Sequence, residues 1–220
     1  WSTDISLLGG QYAWYIAPSF SDNNLSASIS NLNQSGSVGS DQTGIGDLFI
    51  QPLWLGWRDT HYDLSLGLGV YAPIGDYNED SNDNVGLGFW TTQIQGAAYR
   101  YLDEAQASAL MLAATYEMHG SKDGTDITPG DHFTLEYGFS QYLSEKLEVG
   151  VAGFSHWQVK HDTGTTLLDN TVDTEVHGIG AQLSYWATPA LNLSLKYMSE
   201  YGAKARTEGE WISFNLTWIP

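Results

Sequence analysis

The sequence predicts an all-β fold, an antiparallel up-and-down transmembrane β-barrel, on three observations. Apolar and polar residues alternate with period two along most of the chain. The connections between alternating segments run long, short, long, short to the end. Only 15% of the residues are charged while 42% are hydrophobic, against about 25% charged in an ordinary soluble domain. No run of about 18 apolar residues occurs, so no helix can span a bilayer. A closed barrel is the other way for a chain to cross.

Ten strands are visible, at about 4–17, 44–57, 61–74, 86–101, 106–119, 131–143, 146–160, 175–187, 190–202 and 209–219. Leu25–Ile29 also alternates and extends the first or second of them. The segment 44–57 carries Pro52, which cannot donate to a ladder and marks a local irregularity. Between His61 and Ile74, Tyr62, Leu64, Leu66, Leu68 and Val70 share one face, opposite Asp63, Ser65, Gly67, Gly69 and Tyr71. The segment 86–101 puts Gln93 and Gln95 on its polar side but mixes its apolar side. Farther on, Phe133, Leu135, Tyr137 and Phe139 oppose His132, Thr134, Glu136 and Ser140. Leu147, Val149, Val151 and Trp157 oppose Glu148, His156 and Gln158. Leu191, Leu193, Leu195 and Tyr197 oppose Asn192, Ser194 and Lys196, and Ile212, Phe214, Leu216 and Trp218 close the series. An even strand count puts both termini on the short-turn side, and residues 1–220 read as one barrel domain.

Charge and composition exclude several classes. The net charge is 8 − 26 = −18, which argues against nucleic acid. With no Cys there is neither a disulfide framework nor a Cys-ligated metal. Trp1 opens without a basic n-region or apolar h-region, so the expectation is that a signal peptide has been removed. Acid concentrates in three long loops: Asp76, Glu79, Asp80 and Asp83; Asp123, Asp126 and Asp131; Asp162, Asp169, Asp173 and Glu175. Aromatic residues gather in two bands, expected to be interfacial girdles. Trp57, Tyr62, Tyr99, Tyr101, Tyr142, Tyr185, Trp186 and Trp218 sit toward the short turns. Trp14, Tyr71, Phe89, Trp90, Tyr116, Phe133, Trp157, Tyr197 and Trp211 sit toward the long loops.

Four stretches carry a family resemblance: GIGDLFIQPLWLGW (44–57), LGVYAPIGDYNEDSNDNVGLGFWTTQ (68–93), GDHFTLEYGFSQYLSEKLEVGVAGFSHWQV (130–159) and LSLKYMSEYGAKARTEGEWISFNLTW (193–218). Together they resemble the outer-membrane transporter family named for the meta pathway of phenol degradation. The resemblance implies an outer-membrane barrel of a Gram-negative bacterium that takes up aromatic or other hydrophobic compounds. Family members carry sequence before the region matching Trp1, which implies a barrel of twelve strands with ten present here.

The polar face nominates lumen-lining residues: Asp63, Glu117, His132, Glu136, Glu148, His156, Gln158, His177, Gln182, Lys196 and Glu200. His119 also has a place on that face. No zinc-binding His spacing and no G-x-S-x-G elbow occurs, so no catalytic residue, metal or cofactor is assigned. The loop Asp76–Asn84 is rich in oxygen ligands but lacks EF-hand spacing and reads as a solvated acidic loop. Gly67, Gly69, Gly178 and Gly180 leave room on the lumen side for inward side chains.

The expected function is passive uptake of small, hydrophobic or aromatic molecules through the bacterial outer membrane. The expected partners are outer-membrane lipid, lipopolysaccharide and the solute, with no protein partner or homo-oligomer indicated. The alternative is a non-transporting structural or partner-binding barrel that acts through its extracellular loops. A Ser and a His within hydrogen-bond reach at a rim would favour a third reading, a barrel enzyme. A soluble lipocalin-like barrel fails if the apolar faces point outward.

Overall fold

The computed structural model describes residues 2–30, 35–81, 84–165 and 172–219, so the acidic positions Asp83 and Asp169 lie outside the described residues. Thirteen strands are present among them: β1 (Ser2–Leu7), β2 (Gly10–Ala17), β3 (Phe20–Ser30), β4 (Ser35–Ile45), β5 (Leu48–Arg58), β6 (Tyr62–Ala72), β7 (Thr91–Tyr101), β8 (Ser108–His119), β9 (His132–Tyr142), β10 (Leu147–Gln158), β11 (Glu175–Thr188), β12 (Leu191–Lys204) and β13 (Glu210–Trp218). Eleven form one antiparallel sheet in the order β1-β2-β5-β6-β7-β8-β9-β10-β11-β12-β13, while β3 and β4 pair with each other in a ribbon of their own. Long loops join β6–β7, β8–β9 and β10–β11, and short turns join β5–β6, β7–β8, β9–β10 and β11–β12. The turn between β7 and β8 is closed by Asp103, which accepts from the Ala107 and Ser108 N–H groups. Hydrogen bonds from Ala107 and then Ser108 hold its carboxyl below the usual carboxylate range.

Two details differ from the expected strands. The segment 4–17 is two strands, not one, because Leu8 and Gly9 both take positive φ, 52° and 78°, and turn the chain between β1 and β2. The main sheet therefore has eleven strands rather than ten, and an odd count of alternating strands starts and finishes at opposite ends. The Leu25–Ile29 alternation belongs to the β3–β4 ribbon. Pro52, in contrast, behaves as its chemistry requires. Ile50 pairs with Val70 and Leu53 with Leu68, so β5 carries one extra residue there, a bulge.

Leu8 sits where a β-turn of this hand favours Asn or Gly. Leu8→Asn is therefore expected to stabilise the fold by about 1 kcal/mol, since a left-handed backbone costs most side chains roughly that much. Urea unfolding in detergent measures it, and an unchanged midpoint would refute the assignment of strain to this turn.

The burial pattern is inverted relative to a soluble protein. On one face Leu64, Leu66, Leu68, Ile94, Leu112 and Val151 are 40–57% exposed. On the other, Gln51, Thr91, Gln93 and Ser184 are only 0–8% exposed. Burying amides while presenting leucine is stable only where the outer medium is apolar. A soluble barrel would reverse the two faces.

Candidate functional site

The register fixes which side chains share the enclosed face. Asp63 pairs with Tyr99, Gly67 with Gln95 and Gly69 with Gln93. Gln93 pairs with Glu117, Glu117 with His132, and Ala113 with Glu136. Across β10 to β13 the same face carries Glu148, His156, Gln158, Gln182, Lys196 and Glu200. Ten of the eleven nominated residues thus lie on one face. His177 does not. It pairs with Ser155 and Tyr201 on the apolar face, because it has odd parity where Gln182 of the same strand has even.

The ten are not one site. Glu117 and His132 meet directly, and the His156 ring lies beside His132, tilted by 47°, with ring centroids 4.8 Å apart. Asp63 accepts from the Tyr101 hydroxyl at 2.8 Å and faces Arg58 at 3.5 Å. Gln158 turns to its own loop, donating to Lys160 and Asp162 and accepting from the Thr174 N–H. Glu200 accepts from the Gly209 N–H and holds Arg206 at 3.7 Å. The Lys196 ammonium lies 5.6 Å over the Trp211 ring. A cavity of about 240 Å³ opens on this face among Tyr99, Met111, Ser140, Glu148, Gln182 and Ser184. Asp63, Glu117, Glu136, Glu148 and Glu200 against Arg58 and Lys196 leave the face acidic on balance.

The enclosed face also has an aromatic sector that sequence reading missed. Tyr15, Phe49, Trp54 and Tyr71 pack together there, with ring centroids 4.5–5.6 Å apart. The bulge at Pro52 re-aims β5, so that Phe49 before it and Trp54 beyond it both face inward. The girdle assignment changes accordingly. Trp57, Tyr62, Tyr185 and Trp218 lie on the apolar face toward the short turns, and Trp14, Tyr116, Phe133, Trp157 and Tyr197 toward the long loops. Tyr99, Tyr101, Tyr142, Trp186, Tyr71 and Trp211 are enclosed instead.

Glycines make room on this face. A Cβ on Gly67 would stand 2.1 Å from Gln51 Nε2, and one on Gly178 would stand 2.2 Å from Phe154 Cε1. These glycines are seats on which Gln51 and Phe154 lie flat against the wall. Three amides, Gln51, Gln93 and Gln95, line the adjoining wall, with Gln95 donating to Gln51 Oε1 at 3.0 Å. Gln51 Nε2 and Gln93 Oε1 are buried without a protein partner.

On the apolar face, near the long loops, Ser155 Oγ lies 2.9 Å from His177 Nδ1, and His177 Nε2 lies 3.0 Å from Glu175 Oε1. This is the serine–histidine contact that would favour an enzyme. Yet Ser155 is 9% exposed, and β10 is paired on both sides, so its N–H groups are committed to ladders and none is free to hold an oxyanion. Lys204 pairs with Glu175, completing a satisfied polar chain between Trp157 and Tyr201.

A family model described as the MetA-pathway of phenol degradation matches residues 1–216. The chain belongs to this family. No curated protein gives a significant match. Among solved structures, the crystal structure of an outer membrane channel from Pseudomonas putida F1 is similar at 16% identity, with a TM-score of 0.68, over 94% of this chain and 82% of that one. The likeness fixes the fold of this family member as a β-barrel.

Proposed function

We propose that this family member is a passive outer-membrane channel for small apolar and aromatic molecules. The observation that carries the reading is the two-part enclosed face. The aromatic sector of Tyr15, Phe49, Trp54 and Tyr71 adjoins the amides Gln51, Gln93 and Gln95 on the same wall. A planar solute can slide over the rings while the unpartnered amide groups meet its polar atoms in turn. Flat side chains on glycine seats keep the wall smooth. The acidic balance of the face disfavours anions. The apolar coat contacts outer-membrane lipid, and the long loops face the medium and lipopolysaccharide.

Reconstitution tests this. Purified barrel in liposomes is expected to raise the flux of small uncharged solutes above protein-free vesicles and, in a planar bilayer under a salt gradient, to give a cation-preferring reversal potential. A folded barrel with no flux or conductance above background would refute transport. That outcome would favour a structural barrel acting through the β3–β4 ribbon, whose two strands pair with each other and stand apart from the main sheet.

A further inference from the structure

We propose that Glu117, His119 and His132 form a binding site for a divalent transition-metal ion of the zinc class, on the enclosed face at the long-loop end. One ligand atom from each, a carboxylate oxygen and two imidazole nitrogens, lies within 4.8 Å of the others. The register builds this arrangement. Glu117 of β8 is the direct cross-strand partner of His132 of β9, and His119 follows Glu117 by two residues on the same face. Three ligands from adjacent paired strands are held by the sheet rather than by a loop.

The spacing suits the ion. With Zn–N bonds of about 2.0–2.1 Å and tetrahedral angles, two ligating nitrogens stand roughly 3.3 Å apart. His119 Nε2 and His132 Nδ1 are 3.0 Å apart. They face one another at nearly the ligand–ligand spacing, and rotation of the two rings turns both lone pairs toward an ion between them. The proton they share moves to the far nitrogen of His132, a tautomer change that leaves both rings neutral.

The surroundings hold the rings as metal ligands require. For coordination through His119 Nε2, its Nδ1–H must donate outward, and the Thr91 hydroxyl stands 2.8 Å from that nitrogen. Thr91 is 2% exposed and is the direct cross-strand partner of His119. The Phe89 ring packs edge-on to His119 at 5.2 Å. Glu117 supplies the one negative charge. Two histidines and one carboxylate are a three-ligand set that leaves a fourth position open. Ring nitrogens mixed with one carboxylate select zinc or copper over calcium or magnesium, which prefer all-oxygen cages.

The test uses the full chain without a histidine tag, folded in detergent. Equilibrium dialysis against ZnCl₂ with metal analysis is expected to give one zinc per chain. His119→Gln and His132→Gln are each expected to weaken it more than ten-fold, and Thr91→Val by about ten-fold or more through the lost ring orientation. With Cu²⁺ as probe, the electron paramagnetic resonance spectrum is expected to show splitting from imidazole nitrogens, lost in the His119→Gln/His132→Gln double variant. Far-UV circular dichroism checks folding, and Thr91→Val decides the matter if a histidine variant does not fold. Zinc affinity equal in the wild type, the histidine variants and Thr91→Val overturns the site. So does binding that survives in those variants and disappears with the exposed His61→Gln/His161→Gln pair.

Discussion

Gly178→Leu lowers channel conductance and destabilises the barrel by about 1–3 kcal/mol, the usual range for forcing extra volume into a filled site. The reason lies in three ring atoms. A Cβ at position 178 would stand 2.2, 2.8 and 2.9 Å from Phe154 Cε1, Cδ1 and Cζ, all closer than real contacts allow. A phenyl ring cannot yield by bending a flexible tip as the Gln51 amide can at Gly67. It has to rotate about χ1, and on the enclosed side the free direction is the interior. Gly178 does not take positive φ, so the penalty is one of space and not of backbone conformation. Single-channel recording and urea unfolding of the same preparation separate the two effects. Adding Phe154→Ala removes the obstruction, so the double variant regains conductance. Unchanged conductance in a folded Gly178→Leu barrel would show that Phe154 does not border the solute path.

The seats were legible in the sequence as glycines on the polar parity, but their occupants were not. Parity tells which face a residue takes, and β6, β9, β10 and β13 follow it throughout. It fails where the count changes. Leu8 reads as strand because it is apolar, whereas Leu8 and Gly9 together form the turn between β1 and β2. Pro52 was visible as an irregularity, yet the inward aim of Trp54 follows only from the pairing register on each side of the bulge. The aromatic bands erred differently. Position along the strand does not carry parity, so Tyr99, Tyr101 and Tyr142 share a band with lipid-facing rings yet face inward. His177 is polar but has the parity of the apolar face, while His119, two residues after Glu117, has the parity of the enclosed face. Cross-strand neighbours, such as Thr91 beside His119, depend on register between strands, which a single sequence does not specify.

Asp47→Ala destabilises the barrel by about 3 kcal/mol and loosens the β6–β7 loop. Asp47, just before β5, is 8% exposed, and its two carboxylate oxygens are both committed. Oδ1 accepts from the Gly75 N–H at 3.1 Å and Oδ2 from the Leu87 N–H at 2.9 Å. One side chain thus holds both ends of the loop that joins β6 to β7. A hydrogen bond to a charged group contributes about 1.5–3 kcal/mol, and an orphaned buried N–H costs about 1–3 kcal/mol more; solvent reaching the opened loop recovers part of that sum. Close backbone packing makes the clamp hard to replace, since a Cβ on Gly75 would stand 2.8 Å from the Gly86 Cα. Asp47→Asn keeps one acceptor and sets an amide donor against the other N–H, so it falls between wild type and Asp47→Ala. Urea unfolding gives the ranking, and limited proteolysis within residues 73–90 reports the loop. If Asp47→Ala unfolds with the wild-type midpoint and its loop resists protease equally, the loop is held by its own contacts, such as the Val85 and Gly86 N–H groups that donate to the Asp76 carbonyl, and not by Asp47.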